Sequence, residues 1–214
     1  MNKQLILILV ATLTCSTVHA VPIAVLNAGF EDAASVSAPT LVPSWTDGPG
    51  STFGATVLTP NSGLQPFEGN NLLTFQVANR ILQQNLGQSL QADTRYTASV
   101  EVGAVRNVAG WGTLEILAGG NVLASETLLV NKTLETGINY SDWTTLNVTF
   151  DADSSNPFIG QELSLRLYRK NGNFSAAFDA VSLNANPMGV AEPQTGVLML
   201  GGLLLLLRAA RKRN

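Results

Sequence analysis

Cysteine and histidine are almost missing from this sequence of 214 residues, which has one of each. Both of them, Cys15 and His19, lie within the first twenty residues. If that segment is removed, the remaining chain has no thiol nucleophile, no histidine base and no ordinary zinc site. It also has no disulfide, so its stability must come from a hydrophobic core. Enzymes that depend on these groups are therefore excluded.

The first twenty residues have the layout of a secretory signal peptide. Lys3 precedes the apolar run Leu5–Val10, and small residues then lead to Ala20. A charged start, an apolar middle and a small-residue cleavage site define such signals. The sequence therefore predicts a signal peptide over residues 1–20 and export of the remaining chain.

Basic residues are scarce between the two ends of the chain. Residues 21–190 contain seven of the twelve Lys and Arg and fourteen of the fifteen Asp and Glu, a net charge of about seven negative units. A surface of that sign repels phosphate backbones. We therefore expect no nucleic-acid partner.

The C-terminal residues combine a short polar motif, an apolar run and a basic end. Glu192 and Pro193 precede the uncharged run Gly196–Leu207, which covers about 18 Å of a roughly 30 Å hydrocarbon layer if it is helical. Lys and Arg resist translocation, so this layout predicts a stop-transfer signal with a cytoplasmic end. The basic end consists of Arg208, Arg211, Lys212 and Arg213.

This order of features resembles the PEP-CTERM sorting tail of Gram-negative bacteria, with Ala191 in place of the usual first proline. The resemblance implies an exosortase-type processing enzyme as partner and contact with the inner membrane before processing. It also implies delivery to the cell envelope or the extracellular matrix. A plain C-terminal membrane anchor is the alternative. The predicted organisation is a signal peptide over 1–20, one folded domain over 21–186, and a linker and tail with a short hydrophobic helix over 187–214.

No long amphipathic helix pattern occurs between the two ends. Short alternating or β-rich runs fill this segment and are separated by Gly, Pro, Asn and Ser. About ten short strands in one domain of this size favour an all-β fold of two packed antiparallel sheets. The predicted strands are residues 23–26, 52–58, 71–77, 81–86, 94–102, 113–117, 122–130, 143–150, 162–168 and 176–183.

Two sequence phrases frame the predicted domain. They are Asn27-Ala-Gly-Phe-Glu31 at its start and Phe178-Asp-Ala-Val-Ser-Leu183 at its end. Together they resemble the galactose-binding-like jelly roll of many bacterial carbohydrate-binding modules. The resemblance covers nearly all of residues 22–185 and implies a jelly-roll β-sandwich.

The same resemblance implies one structural Ca²⁺ held by acids from the two phrases. Glu31 and Asp179 would be side-chain ligands, Glu68 a third ligand, and Asn71 a source of backbone oxygen, as hard oxygen donors suit this ion. The alternative is that Glu31 pairs with a cation or caps a turn. In that case Asp179 accepts backbone hydrogen bonds at a strand edge.

Sugar rings are usually held by exposed aromatic faces with polar groups at the rim. Trp111 is the main candidate, because Gly110-Trp-Gly112 is predicted to be a loop and Arg106 is near in sequence. Tyr140 and Tyr168 are further candidates. The aromatic residues expected in the core are Trp45, Trp143, Phe30, Phe150 and Phe178.

These features predict an exported protein without catalytic activity that binds extracellular polysaccharide or biofilm matrix. A structural matrix protein with no small-ligand site is one alternative, which a surface without exposed aromatic side chains would favour. A carboxylate-based glycosidase is the other, and it needs two acids about 5 to 10 Å apart across a groove. No such pair stands out in the sequence.

Overall fold

The computed structural model describes residues 19–32, 42–51, 55–58, 64–75, 80–104, 110–130, 143–169 and 176–189. Nearly all of the predicted signal peptide, and the whole sorting motif, hydrophobic helix and basic end, lie outside these residues. Within the described ranges there is no helix, and hence none long and apolar enough to cross a membrane.

Eleven strands are formed by the described residues, most of them at the positions that the alternating pattern predicts. A short strand at Thr46–Asp47 is additional. The strands are β1 (Val21–Ile23), β2 (Thr46–Asp47), β3 (Ala55–Leu58), β4 (Leu72–Phe75), β5 (Ile81–Ser89), β6 (Thr94–Ala104), β7 (Gly110–Ala118), β8 (Asn121–Val130), β9 (Trp143–Ala152), β10 (Glu162–Tyr168) and β11 (Ala176–Pro187).

The strands form two antiparallel sheets. The first has the order β3, β4, β11, β6 and β9, with β1 also paired to β11. The second has the order β2, β5, β10, β7 and β8. The predicted all-β sandwich is therefore confirmed. The pairing of β1 with β11 brings the first and last strands side by side.

The core lies between the two sheets because each strand turns alternate residues inward. In β10, Leu163, Leu165 and Leu167 are buried in the core, and the polar residues between them face away from it. Burying a leucine side chain contributes about 1.5 to 3 kcal/mol. Phe75 and Phe178 meet in this core with ring centroids 5.2 Å apart.

The expected core aromatics mostly lie in the core. Trp45, Phe30 and Phe178 are buried, and Phe150 is partly buried against the same cluster. Trp143 differs, because it lies half-buried in a small separate cluster, where its indole N–H donates to the carbonyl of Gln65 at 3.0 Å.

Trp111 lies in β7, so the prediction of a loop at this position is wrong. The two flanking glycines suggested a turn, but Gly112 serves packing. If Gly112 were replaced by alanine, the added Cβ would lie 2.7 Å from Val102 Cγ1 and 3.0 Å from Phe178 Cε1. The glycine thus lets β7 approach the opposite sheet closely.

Candidate active site

The second sheet aligns four polar residues on four neighbouring strands. Arg166 of β10 pairs in register with Gln83 of β5 and with Glu115 of β7, and Ser125 of β8 lies opposite Glu115. These residues are on the outward face, since the leucines that alternate with Arg166 point into the core. We call Gln83, Arg166, Glu115 and Ser125 the polar row.

Glu115 receives three side-chain hydrogen bonds although only 8% of its side chain is exposed. Arg166 Nη1 donates to Oε2 at 3.1 Å. The hydroxyls of Tyr168 and Ser125 donate to Oε1 at 3.2 and 3.3 Å. Moving a carboxylate out of water costs several kcal/mol, so a buried one needs such partners. Glu115 of β7 is therefore a carboxylate whose position is fixed by hydrogen bonds from the two neighbouring strands, β10 and β8.

Arg166 connects Glu115 to the other end of the polar row. Its Nε and Nη2 donate to Gln83 Oε1 at 3.4 and 3.3 Å. Gln83 Nε2 in turn donates to Asn85 Oδ1 at 3.3 Å and Ser164 Oγ at 3.4 Å. Because every member has partners, the network can hold its side chains in one arrangement.

Tyr168 lies next to the polar row and stays protonated at neutral pH. Burial raises the pKa of its phenol above the ordinary value of 10.0, and the Glu115 carboxylate adds to the rise. The phenol is thus a lasting hydrogen-bond donor to Glu115. It also forms part of the surface that a ligand at Glu115 would contact.

An apolar surface lies on the same face of the second sheet as the polar row, at the end where β7 begins. Trp111 lies opposite Leu129 of β8, and the two side chains are 40% and 41% exposed. Thr113 and Thr127, with hydroxyl oxygens 3.0 Å apart, lie between this pair and Glu115. The site can therefore offer an aromatic face, an aliphatic side chain and a buried carboxylate to one ligand.

Two of the four predicted ligand-binding residues share this face. Trp111 and Tyr168 are both on the outward side of the second sheet. Arg106 and Tyr140 lie outside the described residues. The sequence pattern did not single out the four residues of the polar row. Glu115 and Arg166 alternate with apolar residues like any surface position of a strand, and Gln83 and Ser125 each have a polar neighbour. The sequence feature that could have indicated this site is the presence of opposite charges, Glu115 in β7 and Arg166 in β10, on two central strands that are neighbours in the sheet.

The four predicted calcium ligands surround the turn at residues 26–32 and the loop at residues 64–71. Asp179 is fully buried, and its Oδ2 accepts from the backbone N–H of Phe67 at 2.9 Å and of Glu68 at 3.2 Å. Its Oδ1 accepts from the N–H of Ala180 at 2.8 Å. The carboxylate thus binds the loop to β11. We call these four residues the second acidic site, to distinguish them from the polar row around Glu115. They are Glu31, Glu68, Asn71 and Asp179.

Glu31 binds the same loop from the opposite direction. Its Oε1 accepts from the backbone N–H of Asn70 at 2.9 Å and of Asn71 at 2.8 Å, and Asn71 Nδ2 donates to the carbonyl of Phe30 at 3.3 Å. The alternative roles expected for the two acids, a turn cap and a backbone acceptor, are thus present.

The acids of the second acidic site approach one another without forming a closed metal cluster. A Cβ at Gly29 would lie 2.8 Å from Glu68 Oε1 and 3.6 Å from Asp179 Oδ1, so both carboxylates converge on that glycine. Burial, aided by the charge of Glu68, raises the pKa of Asp179 to about 6. Among the described residues, no group of three Asp, Glu, His or Cys is placed to hold a metal ion.

Comparison with known proteins gives a family for most of the chain. The model of the HpiC1-like family, described as HpiC1 cyclase, matches residues 21–184. The Stig cyclase Fisc from Fischerella sp. TAU, solved with (3Z)-3-(1-methyl-2-pyrrolidinylidene)-3H-indole, is 26% identical, with 80% of this chain and 100% of that chain covered and a TM-score of 0.62. A cyclase from the same source, solved with 4-(1H-indol-3-yl)butan-2-one, is also 26% identical. The match covers 79% of this chain and 100% of that chain, with a TM-score of 0.62.

A carbohydrate-binding structure shares the fold alone. The tandem CBM22 domains of Xyn10C from Paenibacillus barcinonensis are 15% identical, with 84% of this chain and 49% of that chain covered and a TM-score of 0.50. The expected likeness to carbohydrate-binding modules is thus confirmed for the fold only. No curated protein matches the chain.

The prediction of a polysaccharide-binding protein without catalytic activity is wrong. The family model that matches residues 21–184 is that of a cyclase, and two cyclase structures are covered over their whole length. The error arose because the function was inferred from the β-sandwich fold, which is shared by binding modules and enzymes. This chain belongs to the HpiC1-like family of cyclases.

Proposed function

We propose that this protein is a cyclase that closes a ring on an indole-bearing substrate at the outward face of the second sheet. The observation that carries the proposal is the buried Glu115 carboxylate, fixed by Arg166 and Tyr168, with the exposed Trp111 on the same face of the sheet. The similarity to cyclases solved with a 1H-indole and a 3H-indole ligand supports the substrate class. Those ligands differ in whether the ring nitrogen carries hydrogen.

The geometry supports a general-base role for Glu115. The indole packs against Trp111, and its N–H donates to the Glu115 carboxylate. As the N–H bond breaks, the ring carbon C3 forms the new C–C bond with an electrophilic carbon of the same substrate. The proton passes to Glu115 and then to the substrate atom that gains the electron pair. The product is an isomer of the substrate, so its mass is unchanged.

The other residues of the site position this base. Arg166 holds Oε2 of Glu115 and is itself held by Gln83, so the carboxylate plane is fixed before the substrate binds. Tyr168 remains protonated and donates to Oε1. The charge that Glu115 loses when it takes the proton is returned when the proton leaves.

Replacing Trp111 by alanine should weaken binding of 4-(1H-indol-3-yl)butan-2-one at least about tenfold, because the ring loses its aromatic contact. Isothermal titration calorimetry gives the dissociation constant. Phe67→Ala is the matched control, since Phe67 is also exposed, at 52%, but lies near Trp143 outside the site. Equal weakening by both variants, or by neither, would argue against a ligand at Trp111.

The second acidic site is proposed to hold one structural Ca²⁺. The donor chemistry fits, since Glu31, Glu68 and Asp179 offer carboxylate oxygens and Asn71 offers amide and carbonyl oxygens. A cation would also offset the burial that raises the pKa of Asp179 to about 6. Because no three-acid group is formed, backbone carbonyls must supply part of the coordination. The ion would join the 26–32 turn, the 64–71 loop and β11.

Calcium should therefore raise the melting temperature of the protein after treatment with a chelator. At a free concentration of 100 times its dissociation constant, a ligand raises the free energy of unfolding by about 2.7 kcal/mol. For a domain of this size, that corresponds to a rise in melting temperature of roughly 5 to 10 °C. Glu31→Gln should remove most of the rise, measured by differential scanning fluorimetry. Glu162→Gln, which removes an exposed acid of β10, should keep it. An identical melt with and without calcium would rule out the ion.

We also propose that the enzyme is exported and sorted by its C-terminal tail, in keeping with the resemblance to PEP-CTERM tails. In the first sheet Val21 pairs with Ala185, so both predicted processing regions adjoin the same end of the sandwich. β7 and β11 both begin at the opposite end, where Trp111 lies. A tail held in a membrane would therefore be attached at the end of the sandwich opposite to Trp111.

A further inference from the structure

The proposed reaction takes a proton from one atom of the substrate and returns it to another. Glu115 removes it from the ring nitrogen, and it ends on the atom that gains the electron pair. The ring carbons C2 and C3 and the electrophilic carbon separate these two atoms. Glu115 is not free to move from one to the other, because Arg166 holds its Oε2 at 3.1 Å and only 8% of its side chain is exposed. Return of the proton therefore calls for a second group beside Glu115.

Tyr168 has the position that such a group requires. Its hydroxyl donates to Glu115 Oε1 at 3.2 Å, and the residue is half-buried, so part of it faces the solvent. Tyr168 lies opposite Thr113 in register, and Thr113 lies between Trp111 and Glu115 along β7. A ligand that extends from Trp111 to Glu115 therefore passes beside the phenol.

Ser125 is the other hydroxyl donor to Oε1, and it is less suited to carry a proton. It lies opposite Glu115 on the edge strand β8, whereas Tyr168 lies one row nearer to Trp111. A phenol titrates near pH 10 and serves as a general acid or base in enzymes, which an unactivated serine hydroxyl does not. Burial and the charge of Glu115 raise the pKa of this phenol, so it carries a proton when the substrate binds.

We propose that Tyr168 is a catalytic residue that delivers the proton from Glu115 to the substrate atom that gains the electron pair. This inference rests on the proposed function, since it supplies that reaction with its second proton transfer. The O–H bond that Glu115 has formed breaks, and its proton joins the phenol oxygen. In the same step the original O–H bond of the phenol breaks, and that proton bonds to the substrate atom. Glu115 is then again a carboxylate and Tyr168 again a phenol.

The contact between Tyr168 and the accepting atom can be measured with two ligands. One is 4-(1H-indol-3-yl)butan-2-one, whose ketone oxygen stands for the substrate atom that gains the electron pair. The other is 3-butyl-1H-indole, which lacks that oxygen. Isothermal titration calorimetry gives the ratio of their dissociation constants for each variant. Tyr168→Phe should shift this ratio about three- to tenfold against the ketone, the usual size of one hydrogen bond. Ser125→Ala should shift it less than about twofold.

Turnover of an indole-bearing substrate tests the proton transfer itself. Tyr168→Phe should lower kcat at least about a hundredfold and change KM less than about threefold, because the aromatic ring remains. Ser125→Ala removes only a hydrogen bond to Oε1 and should lower kcat less than about tenfold. The double variant Glu115→Gln/Tyr168→Phe should be no slower than Glu115→Gln alone, because the two groups act as a unit.

Mixtures of light and heavy water add a measurement that a purely structural role would not change. The wild-type rate should follow a curve against deuterium content, because two protons move in one step, and the rate of Tyr168→Phe should follow a straight line. The delivery role is overturned, and the proposed function stands, if Tyr168→Phe keeps the wild-type ratio of dissociation constants or loses no more kcat than Ser125→Ala. If the wild type neither binds 4-(1H-indol-3-yl)butan-2-one nor converts an indole-bearing substrate, the proposed function fails and this inference fails with it. Melting temperatures of both variants separate loss of activity from loss of folding.

Discussion

Replacing Glu115 by glutamine should lower the rate of ring closure at least about a hundredfold, since general-base catalysis contributes roughly 10² to 10⁴. Glutamine has nearly the same shape and still accepts a hydrogen bond, but it takes up no proton. The effect should appear in kcat more than in KM, because the ligand keeps its contact with Trp111. The measurement follows conversion of an indole-bearing substrate to a product of equal mass by liquid chromatography and mass spectrometry.

Glu126→Gln is the control for this variant. Glu126 lies next to Ser125 on β8, but it is exposed and its replacement makes the same change in charge. It should retain full activity. Glu115→Gln must also be shown to fold, because Arg166 loses the charge of its partner. A folded Glu115→Gln enzyme with wild-type kcat would contradict the proposed role.

The sequence predicted the strands well because the core demands strict alternation. In β10 the sequence Leu163-Ser-Leu-Arg-Leu alternates without interruption, and the strand has the predicted bounds. Alternation also shows that Arg166 faces outward. It does not reveal which residue of the neighbouring strand lies opposite, since that depends on register. The contact between Arg166 and Glu115 therefore could not be predicted from either strand alone.

The position of Trp111 shows a second limit of local patterns. Glycines on both sides of a residue usually indicate a turn, and here they misled. Gly112 is required because Val102 and Phe178 of the opposite sheet leave no room for a side chain. That requirement arises only from the packing of two sheets. The exposure of Trp111 was nevertheless expected, and its side chain is indeed exposed, on the outward face of the second sheet.

The sequence grouped Glu31 with Asp179, and the structure brings both to the 64–71 loop, where each accepts backbone hydrogen bonds. The two acids come from phrases at opposite ends of the domain, which meet where the backbone N–H of Val181 donates to the carbonyl of Ala28. The hydrogen bonds of these acids to the 64–71 loop could not be predicted, since a loop has no periodicity. The function could not be predicted from the fold because chemistry depends on side chains placed on it.

Replacing Asp179 by alanine should lower the free energy of unfolding by about 3 kcal/mol in the presence of a chelator, a fall in melting temperature of roughly 6 to 12 °C. Three backbone N–H groups, those of Phe67, Glu68 and Ala180, lose their acceptor. Asp153→Ala is the control, since Asp153 also accepts a backbone N–H, from Ser155, but is exposed. Its replacement should cost less than about 1 kcal/mol.

The size of the Asp179→Ala effect should depend on pH in a defined direction. The folded protein raises the pKa of Asp179 from 3.8 to about 6, so between these values it holds a proton that the unfolded chain releases. Stability from this group is therefore greatest at low pH and falls as pH rises through about 6, by at most about 3 kcal/mol. Denaturant unfolding of wild type and Asp179→Ala, both in chelator, at pH 4.5 and pH 7.5 measures the difference. The loss caused by the substitution should be larger at pH 4.5, and a larger loss at pH 7.5 would show that the carboxylate is ionised in the folded protein throughout.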